Sequence, residues 1–314
     1  MTRSQRQVWG ETLVDLAKND PYCIVLDGDL ATSTQAVLVA AEVPDSFIEV
    51  GIAEQNMVGM ALGMSTLGYR PWLSTFGVFL THRALDQVRM MLSQTKAPVR
   101  LTGHYSGLLN GSAGKTHQDL EDFAIMRAMP NMTVIAPADE YEAEAVTRWA
   151  ADHDGPVYIR YARDAVTPVY DAVPDFVPGR SVRLREGADA VLVSTGVQTS
   201  RTLEAAELLA RDGVECAVLH VPTLKPFDTE MFLGLVADAH DIVTVEEHSR
   251  LGGLGGLIAE TLAERPGSAR LTRIGLADAW GESAPNDFLL DKYGLSPQRV
   301  AECVRSQVVT GGVG

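Results

Sequence analysis

The sequence predicts an α/β protein of two doubly wound, three-layer domains. Three observations carry that reading: β-rich runs alternate with helical segments, the runs are apolar almost throughout, and one Pro-containing stretch interrupts the alternation before it resumes. Strands that are apolar at nearly every position are expected where helices cover both faces of a parallel sheet. In order, the amphipathic N-terminal segment forms a helix over 3–18 and "CIVLDGD" the first strand. A helix over about 53–67 leads to the strand "RPWLSTF", and one over 79–95 leads to "PVRLTGHY". Helices over 119–128 and 139–152 precede "TVIAPAD" and "VYIRYA" respectively. The segment "TPVYDAVPDFVPGRS" (167–181) breaks the pattern and reads as a linker. Beyond it the strands "DAVLVSTG", "ECAVLHV", "DIVTVEEH" and "RLTRIGLA" alternate with helices over 198–212, 228–239 and 254–264. A last helix opens at "SPQRV", with Ser296 as N-cap and Pro297 at the first helical position. The expected division is a first domain over 1–166, a linker over 167–185 and a second domain over 186–314.

Composition narrows the function. The 314 residues carry 26 basic and 41 acidic side chains, a net charge of -15, which disfavours nucleic acid or an anionic membrane as partner. Cys23, Cys216 and Cys303 lie far apart without a CxxC or Cys/His spacing, so a reducing compartment without structural zinc is expected. The polar N-terminal helix is unlike a signal peptide, and no apolar run approaches a membrane span, so a cytoplasmic protein is expected.

Glu54 stands where a run of small and apolar residues begins, "GIAEQNMVGMALGMSTLGYRPWLSTF". A carboxylate in a first helical turn complements the helix dipole, worth about 0.3–1 kcal/mol. One facing an apolar pocket is instead an acid–base group. "GSAGKTHQD" (111–119) invites a phosphate-loop reading, but Leu109 occupies the position where the Walker pattern needs glycine. His117, at the end of that loop, is a candidate binding residue. "LDGDLATST" (26–34) resembles the start of a magnesium–diphosphate motif. The required downstream Asn is missing between Ala31 and Gln55, so no metal site is expected, and Asp and Ser/Thr turn chemistry at a strand end is the better account. Phe76, Phe79 and His82 are spaced to share one stripe of a helix, either core packing or an aromatic floor for a flat ligand.

Taken together, these segments resemble the C-terminal half of the thiamine-diphosphate-dependent transketolases, including the deoxyxylulose-phosphate synthases. Besides the Glu54 segment, the resemblance is carried by "ALDQVRM", "GKTHQDLEDFAIMRAMPNMTVIAPAD", "DGPVYIRYARD", "VSTGVQTSRTLEAAELLARDGVECAVLHVPTLKPFD" and "TVEEHSRLGGLGGLIAE", nearly the whole chain. It implies a pyrimidine-binding domain followed by the transketolase C-terminal domain. It further implies a partner subunit that carries the diphosphate-binding domain and Mg2+, in an A2B2 heterotetramer that uses thiamine diphosphate. Glu54 matches the glutamate that hydrogen-bonds the cofactor's pyrimidine ring and assists its activation. Phe76 and Phe79 match the ring-stacking aromatics; His82 stands at a third position that is usually Tyr. His117 matches the histidine that contacts the donor's hydroxyl and assists proton transfers.

The implied reaction moves a two-carbon ketol unit from a small-molecule donor to an aldehyde or ketone acceptor. Arg163, Ser33 and Arg6 match the phosphate side of the substrate site, with Lys115 and Tyr105 beside them. Where resembling transketolases read "HAG…GEDG.TH", this chain has "YSGLLNGSAGKTH". Tyr105 replaces a phosphate-contacting His, Ser112 a Glu, and Ala113 an Asp that contacts a sugar hydroxyl. An acceptor other than an ordinary pentose phosphate, as in specialised metabolism, is therefore expected. A deoxyxylulose-phosphate-synthase-like condensation, a 2-oxoacid dehydrogenase β subunit and a non-catalytic scaffold are the competing expectations.

Overall fold

The computed structural model describes residues 2–265, 267 and 269–311. Among the described residues, twelve strands form two sheets. The first half supplies β1 (Cys23–Asp27), β2 (Phe47–Glu49), β3 (Arg70–Phe76), β4 (Arg100–His104), β5 (Thr133–Ile135) and β6 (Val157–Tyr161). The second supplies β7 (Val182–Arg185), β8 (Ala190–Ser194), β9 (Cys216–His220), β10 (Thr223–Lys225), β11 (Asp241–Ser249) and β12 (Arg270–Leu276). The first sheet has the order β10-β5-β6-β4-β3-β1-β2, and β1 to β6 are all parallel. The second has the order β12-β11-β8-β9-β7 and is parallel apart from β7, which pairs antiparallel with β9.

Both faces of the first sheet are covered, as its apolar strands require. Helices Gln5–Asn19 and Glu140–Asp152 bury Trp9, Leu13, Ala143 and Val146 with Val25, Trp72 and Ile159 on one side. Met57 and Val58 of helix Glu54–Thr66 pack with Leu26, Leu73, Leu80 and Phe123 on the other. That second core continues into the other half of the chain through Leu219, Leu224, Phe232 and Ile242.

The expected strands are present, and Ser296 caps its helix by accepting from the Arg299 N–H at 3.3 Å. Several elements differ from expectation. β10 comes from the second half yet pairs antiparallel with β5, so the two halves share a sheet. Its three residues precede Pro226, which hides the strand in the sequence. β7 occupies the last residues of the stretch expected as linker; as a half-exposed edge strand it lacks an apolar run. The short strand β2 and helix Asn286–Lys292 were also not expected.

The segment expected as a helix over 79–95 is π-helical over Phe79–Arg83 and again over Val88–Ser93. Its first turn closes with the Ala84 N–H donating to the Phe79 carbonyl five residues back, at 3.0 Å. Phe76 is the last residue of β3 rather than part of that helix.

Candidate active site

The carboxyl ends of parallel strands are where open α/β sheets place ligands, and the candidate residues gather there. Gly28 and Ser33 follow β1, Glu54 follows β2, Phe76 ends β3, Tyr105 and His117 follow β4, and Arg163 follows β6.

Glu54 opens its helix and is buried. Both of its carboxylate oxygens accept from Arg83 Nη1, at 2.7 and 2.8 Å. The Arg83 guanidinium also lies over the Phe79 ring, its Cζ 4.1 Å from the centroid. The stripe read through Phe79 and His82 overlooked Arg83, although a spacing of four shares a helix face as readily as a spacing of three. In the π turn Phe79–Arg83 it is this residue, four positions on, that lies over the Phe79 ring.

His82 is correspondingly turned elsewhere, which corrects its expected place on the aromatic stripe. Its Nε2 stands 3.2 Å from Glu121 Oε1 and its Nδ1 2.8 Å from Thr81 Oγ1. The Glu121 hydrogen bond raises the His82 pKa, and the same bond lowers that of Glu121.

The other expected aromatics come together. Phe76 and Phe79 stack at 5.9 Å, and Tyr105 stacks on Phe76 at 4.2 Å. His117 meets both Phe rings edge-on, at 5.8 and 5.6 Å, and its Nδ1 lies 2.8 Å from Thr116 Oγ1. Tyr105 has φ of 64°, left-handed backbone that a bulky residue adopts at a cost of about 1–3 kcal/mol. Arg6 links the basic side of the site: it donates to the Ser33 carbonyl at 2.6 Å, the Arg163 carbonyl at 3.0 Å and the Tyr105 hydroxyl at 3.0 Å. The guanidinium groups of Arg6 and Arg163 lie 5.5 and 5.6 Å from the Tyr105 ring centroid. Lys115 is exposed on the loop before His117.

The Gly-rich loop serves as a domain contact rather than a phosphate cradle. The Gly111 N–H donates to Asn286 Oδ1 at 2.9 Å, and a Cβ on Gly111 would stand 2.3 Å from the Ala284 carbonyl oxygen. The Ser112 carbonyl accepts from Ser283 Oγ at 2.8 Å; Ser112 and Ala113 are both exposed on this turn. Asp27 is used in turn chemistry: it accepts from the Leu30 N–H at 2.6 Å and from Thr34 Oγ1 at 3.2 Å, and burial raises its pKa to about 6. Among the described residues, no group of three or more His, Cys, Asp or Glu side chains is arranged to hold a metal ion, and no helix is long and apolar enough to cross a membrane.

Beneath the aromatic group, buried Asp119 accepts from Thr81 Oγ1 at 2.6 Å. Burial, and then the charge of Asp122, push its pKa up to about 7. The folded chain therefore keeps a proton that the unfolded chain releases from about pH 4 upward. Stability from this group is greatest at the acidic end of that window and declines as pH rises through about 7. Asp119→Asn is expected to flatten this decline in denaturant unfolding curves recorded between pH 5 and 8; an unchanged slope would assign it to other groups.

Comparison with known proteins agrees with this geometry. Residues 2–168 match the transketolase pyrimidine-binding domain, and residues 179–300 match the transketolase C-terminal domain. The chain belongs to the transketolase family. A Methanocaldococcus jannaschii protein described as a transketolase C-terminal section is 38% identical over 98% of this chain and 96% of its own length. The 6-deoxy-6-sulfo-D-fructose transketolase subunit SqwH of Clostridium sp. strain MSTE9 is 35% identical, over 94% of this chain and 91% of its own. A solved split-gene transketolase, captured as an inactive β4 tetramer, superposes with a TM-score of 0.90 at 38% identity, covering 98% of both chains.

Thiamine diphosphate is the cofactor implied by the family, and the donor set tests whether its ring fits. A buried carboxylate faces an aromatic ring across a space that already holds a planar N–H donor, the Arg83 guanidinium. An aminopyrimidine is likewise planar and rich in nitrogen, so the residues present suit it.

Proposed function

We propose that this chain is the pyrimidine-side subunit of a two-component transketolase. A partner subunit carries the diphosphate-binding domain and Mg2+, and the two assemble as an A2B2 heterotetramer. The pair transfers a two-carbon ketol unit from a small-molecule donor to an aldehyde or ketone acceptor. The observation that carries this reading is Glu54, buried at a helix start beside the stacked Phe76 and Phe79. Core packing alone has no need of a carboxylate there. The inactive state of the related four-copy assembly supports dependence on a second kind of subunit.

When bound, thiamine diphosphate supplies the nucleophilic carbon and electron sink that ketol transfer needs. Glu54 would hydrogen-bond the pyrimidine nitrogen and hold a proton there. Phe79 offers that ring a flat face. His117, which touches both Phe rings, would hydrogen-bond the donor's hydroxyl and move protons there. Arg6 and Arg163, gathered around Tyr105, would face an anionic substrate end.

The acceptor proposal follows from Ser112 and Ala113. A site without the family's acidic side chain has lost an acceptor for a sugar hydroxyl, which lowers affinity for the ordinary substrate. The reconstituted pair is expected to use hydroxypyruvate as donor in preference to pyruvate, and to use ribose 5-phosphate poorly. Decarboxylating turnover of pyruvate would instead place the chain with the synthase-like or dehydrogenase readings. Efficient exchange between xylulose 5-phosphate and ribose 5-phosphate would contradict the acceptor proposal. Tyr105→Phe, which removes the hydroxyl bond to Arg6, is expected to raise acceptor KM severalfold with little change in kcat. A fall in kcat alone would place Tyr105 in the chemistry instead.

A further inference from the structure

We infer that Arg83 is a placeholder for the cofactor's pyrimidine ring: it holds the seat between Glu54 and Phe79 closed and must swing out for the ring to enter. The inference rests on the proposed function above and concerns a residue that the reading of that site does not use. A seated aminopyrimidine needs two things here, a flat aromatic face and a hydrogen bond to the Glu54 carboxyl. Arg83 takes both. Its guanidinium lies 4.1 Å over the Phe79 ring and donates to the two Glu54 oxygens at 2.7 and 2.8 Å. The neighbouring Phe76 ring is itself already stacked with both Tyr105 and Phe79. A planar cation and a planar heterocycle cannot share one space, so closure and ring binding exclude each other.

The local structure is suited to a movable group. The Glu54 side chain is fully buried, whereas that of Arg83 is 41% exposed, so its outward path leads to water. Its backbone is tethered meanwhile: Gln55 Nε2 donates to the Arg83 carbonyl at 3.1 Å. Arg83, four positions on from Phe79 in the π turn, is the side chain laid across the ring, while His82 turns to Glu121. The closed form keeps the buried carboxylate paired until the ring replaces the cation.

A latch closed in about nine molecules of ten weakens apparent affinity about tenfold, because only the open fraction binds. The test is thiamine diphosphate with Mg2+ titrated calorimetrically into the two-subunit complex, with stopped-flow fluorescence for the binding rate. Arg83→Met removes the cation and its hydrogen bonds, and is expected to tighten binding about tenfold or more. The wild-type binding rate is expected to level off with rising cofactor concentration, as opening becomes limiting, and the variant's to stay linear. Arg83→Lys, a point charge that cannot lie flat on Phe79, is expected to tighten binding by a smaller factor. It also keeps the test decisive should Arg83→Met fail to assemble, as judged by its melting curve. Unchanged or weaker binding in a folded variant overturns the inference and makes Arg83 a structural or direct contact. If the wild-type complex takes up no thiamine diphosphate, the functional reading falls and this inference with it. Binding to wild type without tightening in the variants sinks the latch alone.

Discussion

Glu54→Ala in the assembled two-subunit enzyme is expected to lower kcat for ketol transfer by about 10²–10⁴-fold, the usual range for loss of an acid–base group. The fold should survive. Glu54 is buried, but the cation it leaves behind is not: the Arg83 side chain is 41% exposed and can return to water. The pair therefore belongs with half-exposed ion pairs, whose loss costs about 0–1 kcal/mol. The measurements are steady-state rates with hydroxypyruvate as donor, and a melting curve. A severe loss of rate with little loss of stability supports an acid–base role. Unaltered activity would leave the non-catalytic scaffold as the better reading.

The opposite balance is expected at Glu247. This buried carboxylate pairs with buried Arg201, and its Oε1 accepts from the backbone N–H groups of Leu108 and Leu109. It is a bolt between the second sheet and the loop that carries His117. The Glu247 carbonyl extends the contact by accepting from Arg160 Nη2 at 2.7 Å. Glu247→Ala strands the Arg201 guanidinium and two N–H donors without water, and breaking a buried pair this way costs about 3–5 kcal/mol. A loss of that order in chemical unfolding is expected, with faster hydrogen exchange at residues 107–117. The companion Glu247→Ala/Arg201→Met should recover part of the loss, since it removes the stranded charge. A cost below about 1 kcal/mol would show that water reaches the pair.

The contrast between these two carboxylates also shows what the sequence can reveal. Apolar runs such as "CIVLD" and "VYIRY" identify their strands because full burial removes the need for alternation. The short strands β2 ("FIE") and β10 ("TLK") escape notice because each is cut short by a charged residue, whereas the equally short β5 belongs to the apolar run "TVIA". β10 in particular depends on a partner strand nearly ninety positions away, as its pairing of Thr223 with Ile135 shows.

The candidate site divides in the same way. Glu54, Phe76, Phe79 and His117 were legible through their order along the chain, and the structure brings the three rings into contact. The grouping of Arg6, Ser33, Tyr105 and Arg163 was legible only through resemblance, since one helix start and three separate strand ends supply no local spacing. Arg83 was not legible at all. Its spacing of four from Phe79 is an ordinary helical one, but nothing local pairs it with Glu54, 29 positions away. Glu247 was hidden because a carboxylate at the end of a strand looks solvated until the facing Arg201 is known.

The most direct test is a structure of the complete two-subunit complex with thiamine diphosphate and Mg2+ bound. The account predicts the Glu54 carboxyl in hydrogen-bond contact with the pyrimidine ring, Phe79 against the ring face, Arg83 displaced towards solvent, and the diphosphate end held by the partner. A bound cofactor whose ring lies away from Glu54, with that carboxylate still paired to Arg83, would contradict it.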